Sequence, residues 1–201
     1  MLPRTPFYSS IETLVHHGAT VPCSGTAFHA EPWYLPQTFC PGEPTTREQM
    51  AIFLLRSRMG RYYLPPRPAE GTFSDMRRRG LSLSPWVVPV VAWVEEADRR
   101  GVMAACQGNM FCPKAPVSRR TMAQMLLRTL EGPTYVPPVC TVPVFPDVPC
   151  SDLEAPWINE LVARGFAAGC GGGLYCPEGT VSRGQMAEIL TRTFGLDLYR
   201  Q

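Results

Sequence analysis

Histidine is scarce in this chain: His16, His17 and His29 are the only three in 201 residues. That leaves little for imidazole catalysis or for a cysteine–histidine zinc site. Charge of one sign is also lacking. Lysine and arginine total 19 against 17 acidic residues, a net +2, too small for a nucleic-acid footprint. No apolar run reaches the roughly 20 residues of a membrane span. Met1 is not followed by the basic-then-apolar pattern of an export signal. There is no Gly-x-Ser-x-Gly, no phosphate-binding loop and no His-Glu-x-x-His, and no acidic pair recurs near a histidine. The sequence therefore points away from an enzyme, and it carries no motif for a cofactor or metal.

Proline (22) and cysteine (8) are what the chain has in quantity. Six cysteines fall into three matched pairs: Cys23 and Cys40, Cys106 and Cys112, Cys170 and Cys176. The second cysteines, at 40, 112 and 176, lie 72 and 64 residues apart. Each is followed by proline, by an arginine seven residues on (Arg47, Arg119, Arg183) and by a methionine ten on (Met50, Met122, Met186). A further arginine follows at sixteen (Arg56, Arg128, Arg192). So many shared offsets mark an internal repeat. The remaining cysteines, Cys140 and Cys150, share one linker. None is left over, and Cys-x5-Cys with intervening glycine suits a small disulfide loop better than zinc. The expected bonds are Cys23–Cys40, Cys106–Cys112, Cys140–Cys150 and Cys170–Cys176. They place the protein in an oxidising compartment, extracellular, at the cell surface or periplasmic. The export signal has then been removed or lies outside this chain.

Each copy reads as a short helix, a glycine, a cysteine loop and a longer capped helix. Tyr8 to His17 should be helical, with Ile11, Leu14 and Val15 on one face, ended by Gly18. Its counterparts carry Trp93 and Trp157, eight residues before Gly101 and Gly165. Thr46 with Gln49, and Ser182 with Gln185, are capping boxes, and Ser118 is the equivalent cap. The long helices bear the stripes Met50-Phe53-Leu54, Met122-Met125-Leu126 and Met186-Ile189-Leu190. Gly60 and Gly132 end the first two. Copy one, residues 1–60, contains a long loop over 19–44 with Trp33-Tyr34. Residues 61–72 are a linker, 73–132 copy two, 133–144 a second linker and 145–201 copy three. No copy could bury its stripe alone, so the three long helices are expected to form a central bundle. Ala51, Ala123 and Ala187, one after each methionine, would let them approach closely. The fold class is mainly α.

Phe145-x-Asp147, Trp157-Ile158, Gly165, Gly169-Cys170, Tyr175-Cys176-Pro177 and Val181-Ser182-Arg183-x-Gln185-Met186-Ala187 resemble, in order, the S-layer homology (SLH) family. The resemblance covers nearly the whole chain as three repeats, in the cysteine-bearing form found at the ends of secreted bacterial proteins. It implies a pseudo-threefold spindle of prongs around a helical bundle. It also implies non-covalent binding of envelope or cell-wall polysaccharide, often acidic, in grooves between prongs. The family's Thr-Arg-Ala-Glu signature is altered to Thr46-Arg47-Glu48-Gln49, Ser118-Arg119-Arg120-Thr121 and Ser182-Arg183-Gly184-Gln185. Copy one lacks a clear Phe-x-Asp and has Ser10 in place of the tryptophan.

The carbohydrate-binding residues so indicated are Arg47, Arg119 and Arg183, with Asp75, Asp147, Trp93 and Trp157. Each arginine falls in the first turn of a helix, where a cation faces the positive dipole end at a cost of about 0.3–1 kcal/mol. Two readings would offset that cost. One is an anionic ligand held by the guanidinium and the free N–H groups. The other is an internal ion pair, with Asp75 or Asp147 as partner. The tryptophans could stack on a sugar or simply fill the core. The leading expectation is a module that anchors its protein to envelope polysaccharide. The alternative is a structural subunit of an extracellular lattice, filament or sheath that uses the repeats for protein–protein contact.

Overall fold

The computed structural model describes residues 6–23, 38–66, 71–76 and 89–198, so Trp33-Tyr34 and most of the long first loop lie outside the described residues. Among the described residues there are six helices: α1 Tyr8–His16, α2 Arg47–Met59, α3 Val90–Arg99, α4 Arg119–Glu131, α5 Ala155–Ala163 and α6 Arg183–Thr193. Among the described residues there are isolated β-bridges but no strand, and the chain is mainly α-helical.

Local chemistry sets the helix ends. Thr46 and Ser182 form complete capping boxes with Gln49 and Gln185. Ser118 accepts from the Thr121 N–H, with threonine in place of the reciprocal glutamine. Gly18, Gly101 and Gly165 stop the short helices with φ of 64°, 65° and 72°. A side chain at Gly18 would meet the Cβ of Arg61 at 2.6 Å, and one at Gly101 the Cβ of Pro133 at 2.7 Å. Those two turns therefore need glycine for space as well as for backbone freedom.

The short helices pack on long helices from a neighbouring copy: α3 on α2, α5 on α4 and α1 on α6. The last pair brings the first and last of these helices together. α2 also touches both α4 and α6, and Ala51, Ala123 and Ala187 are fully buried. The expected methionine stripes lie in one continuous core with Leu14, Phe53, Phe111 and Tyr175. Val15, expected inward, is 45% exposed. The inward face of α1 is instead Ser10, Ile11, Thr13 and Leu14, because α1 lies against α6 along that line. Phe7, held at a positive φ of 65°, packs its ring against Gly184. A Cβ at 184 would sit 2.5 Å from Phe7 Cδ2, which accounts for glycine at this one position of the altered signature.

All four expected disulfides are formed, and no cysteine is free. Cys40, Cys112 and Cys176 all adopt the left-handed region, at φ 51°, 56° and 58°. Each thus turns the chain sharply into the proline that follows. Among the described residues no helix is long and apolar enough to cross a membrane.

Candidate functional site

Arg47, Arg119 and Arg183 make equivalent contacts, each with the copy that follows its own. Arg47 donates Nε to the Phe111 carbonyl (2.8 Å) and Nη2 to that of Ala104. Arg119 does the same to Tyr175 (2.7 Å) and Ala168, and Arg183 to Phe39 (2.7 Å) and Val21. In every case one acceptor immediately precedes the second cysteine and the other stands two residues before the first. The guanidinium therefore bridges the neck of a disulfide loop. It also lies over the ring of the residue whose carbonyl it holds, 4.7 Å from Phe111, 4.4 Å from Tyr175 and 4.6 Å from Phe39. Copy one holds copy two, two holds three, and three returns to one.

The backbone follows the same cycle. The Thr45 N–H donates to the Val181 carbonyl, Val181 to Val117, and Val117 back to Thr45, at 2.8–3.0 Å. The first two N–H groups of each long helix donate to carbonyls of the Cys-Pro turn they face: Arg47 and Glu48 to Ala115 and Pro113, Arg119 and Arg120 to Gly179 and Pro177, Arg183 and Gly184 to Glu43 and Pro41. The third is taken by the cap hydroxyl. No first-turn N–H is thus free for an anion. Two carbonyls and a ring hold each guanidinium, and a nearby carboxylate adds a favourable field: Asp75 at Arg47, Asp147 at Arg119 and Glu43 at Arg183.

Asp75 and Asp147 act on Arg47 and Arg119 through their charge, as the ion-pair reading expects, but their hydrogen bonds go to the backbone. Asp75 accepts from the N–H groups of Phe111 (2.9 Å) and Cys112 (2.8 Å), and Asp147 from those of Tyr175 (2.9 Å) and Cys176 (2.7 Å). Phe111 and Tyr175 are therefore gripped from both sides, by an aspartate at N–H and by an arginine at C=O. Burial would raise the Asp147 carboxyl, but the two N–H donors outweigh it and lower it below the ordinary range. Burial pushes the Arg183 guanidinium down to about 10, against the opposing field of Glu43. Arg183 is fully buried and Arg119 only 7% exposed, whereas Arg47 is half-buried.

Trp93 is buried and Trp157 half-buried. Arg56 lies 5.0 Å over Trp93 and Arg128 5.4 Å over Trp157. Tyr63 and Tyr135 meet the same indoles edge-on at 6.2 and 6.1 Å. Behind each tyrosine stands a carboxylate shared with an arginine. Tyr63 and Arg100 both donate to Glu96, and Tyr135 and Arg164 both donate to Glu160. Burial would raise the Glu96 carboxyl, but hydrogen bonds from Arg99, Tyr63 and Arg100 prevail and hold it at about 2. Because that value lies below the ordinary 4.5, Glu96 contributes stability above about pH 4.5 and loses it as pH falls toward 2. Glu96→Gln should therefore unfold more easily than the parent at neutral pH, and the difference should shrink between pH 4.5 and 2. Urea titrations at pH 7, 4 and 2.5 measure this.

The C-terminal ends of α2, α3 and α4 enclose a pocket of about 360 Å³ lined by Arg58, Arg99, Arg100 and Arg128 over a floor that includes Leu55 and Val102. Arg99 and Arg100 share Glu96, whose side chain is only 2% exposed, so the mouth presents cations. Among the described residues no group of histidine, cysteine and carboxylate side chains could hold a metal ion. No family model matches the chain, and no curated protein matches it.

Of the residues singled out in the sequence, Arg47, Arg119, Arg183, Asp75 and Asp147 converge on the loop necks, while Trp93 and Trp157 sit under other arginines at the opposite ends of the long helices. The pocket brings together Arg58, Arg99, Arg100 and Arg128. Of these, Arg128 carries a signal in the sequence through its offset of sixteen from Cys112, and Arg100 through its place directly before Gly101, matched by Arg164 before Gly165.

Proposed function

We propose that this chain is a non-enzymatic module of the cell surface that binds an acidic envelope polysaccharide and so anchors the protein of which it forms part. The single observation that carries the reading is the pocket with four arginines. It is large enough for about one sugar, and its planar, doubly donating groups match carboxylate or phosphate substituents. The contact cycle from copy one to three and back supports a pseudo-threefold SLH-type arrangement around the long helices. In this reading the first-turn arginines hold the loops in place and the ligand is met by Arg58, Arg99 and Arg128, the last resting on Trp157. Four disulfides, one in a loop of each copy and one at the second linker, suit an exported protein.

The purified protein should pellet with insoluble acidic envelope polysaccharide and should fail to do so after the polysaccharide's acidic groups are neutralised. Arg58→Glu with Arg99→Glu should weaken binding about tenfold or more, since each reversal replaces an attraction by a repulsion; Arg58→Glu alone, which leaves the Arg99–Glu96 pair intact, should also weaken binding and leave the melting temperature within a few degrees. Unchanged binding in the double variant would overturn this site.

A second reading, a subunit of an extracellular assembly, is favoured by one feature. Val136, Val139, Val142 and Val144 are 52–83% exposed along the segment tied down by Cys140–Cys150, and Leu153, three residues after Cys150, is 87% exposed. Contiguous exposed apolar side chains mark contact surfaces. Pelleting of the protein without polysaccharide, abolished by Val139→Lys with Val142→Lys, would favour assembly.

A further inference from the structure

At two of the three junctions between a short and a long helix, an indole lies beneath an arginine: Trp93 under Arg56 where α3 meets α2, and Trp157 under Arg128 where α5 meets α4. At the third, where α1 meets α6, the same offset supplies Arg192, but the residue eight before Gly18 is Ser10. Thr13 replaces Glu96 and Glu160, and His17 replaces Arg100 and Arg164, each at the same distance from its glycine. A pocket of about 350 Å³ occupies this junction, lined by Ser10, Thr191, Arg192, Glu188 and Leu196. Ser10 and Thr191 form its buried floor, at 9% and 4% exposure. Arg192 is half-exposed at its edge and hydrogen-bonds Glu188 at 2.6 Å.

We infer that this junction is a binding site for a planar aromatic ring of indole size, which takes the place the tryptophans hold at the other two. The Arg192 guanidinium supplies the cationic face that Arg56 and Arg128 turn to their indoles. Leu196 supplies apolar contact, and the Glu188 carboxylate can accept from a ring N–H. The ligand is therefore an aromatic with a hydrogen-bond donor, presented as a small molecule or as a side chain of another polypeptide. This pocket is separate from the arginine pocket between α2, α3 and α4 and does not rest on the polysaccharide reading.

Indole is the probe, and a ligand of its size in such a pocket should bind with Kd on the order of 0.1–1 mM. Titration by heteronuclear NMR should shift α1 and α6 resonances. 1-Methylindole, which lacks the N–H, should bind at least threefold more weakly. N-acetyltryptophanamide reports on source: binding equal to indole indicates a protruding side chain, and indole binding alone indicates a small molecule. Ser10→Trp should fill the site, abolish indole binding and raise the melting temperature. Arg192→Leu, at the pocket edge, should weaken indole binding about fivefold or more without unfolding the chain. Absence of binding in the parent overturns the inference, as does binding unchanged in Arg192→Leu. Binding that emerges only after residues 199–201 are removed also overturns it, because the protein would then fill the site itself.

Discussion

Arg183→Ala should be the most damaging single substitution among the three first-turn arginines, lowering stability by about 3–5 kcal/mol. The side chain is fully buried, and its removal leaves the carbonyls of Phe39 and Val21 without their charged donor. Each orphaned acceptor costs about 1–3 kcal/mol, and the stacking on the Phe39 and Phe53 rings is lost as well. Set against a typical total of about 5–15 kcal/mol, such a loss leaves a marginal fold. Lysine restores the charge but cannot span two carbonyls, so Arg183→Lys should recover only part of the loss. Arg119→Ala should cost nearly as much, and Arg47→Ala least, following their exposure. Urea unfolding of the three alanine variants, with exposed Arg61→Ala as control, tests the order. A loss at Arg183 within about 0.5 kcal/mol of the control would mean that the bridge contributes nothing.

The second large effect should come from Cys23–Cys40. Its ends are 17 residues apart, against 6 for Cys106–Cys112 and Cys170–Cys176. In the chain-entropy account the longer loop is worth about 3.2 kcal/mol and the short ones about 2.4 each. The seat of Arg183 widens the gap, since Val21 and Phe39 flank this disulfide and the arginine they receive is the most deeply buried of the three. Replacing both cysteines by serine should therefore produce the largest melting shift among the single-pair variants. It should also be less than additive with Arg183→Ala, as both loosen one loop neck. Equal shifts for all pairs under non-reducing calorimetry would contradict this.

Sequence reasoning reached what is local. Thr46 with Gln49 and Ser182 with Gln185 announce helix starts because a capping box closes within four residues. The cysteine pairs were legible because three copies repeat one set of offsets. The destination of the arginines was not, because their acceptors lie 49 to 162 residues away in another copy. An arginine at a helix start and off the apolar stripe reads as a ligand or ion-pair residue. Only the folded chain shows that a neighbouring loop closes over it. Val15 misled for the same reason: α1 turns toward α6, and that rotation depends on Ser10 and Thr13 facing a helix from the far end of the chain. The arginine pocket draws its cations from three different helices, so no single stretch could reveal it.

The return of copy three onto copy one gives the chain a property that a linear array lacks. In an open stack of three units, the loss of an end unit removes one of two interfaces and the other persists, so the end can fray independently. A closed circuit has no end. Withdrawing any one member severs two of three interfaces and leaves a lone pair. Melting should therefore be a single all-or-none transition despite the repetitive sequence, and a fragment ending before the third copy should not hold a stable fold. Closure also joins residues 162 positions apart, the kind of late, long-range contact that slows folding. Once made, it locks the first and last segments of the chain together.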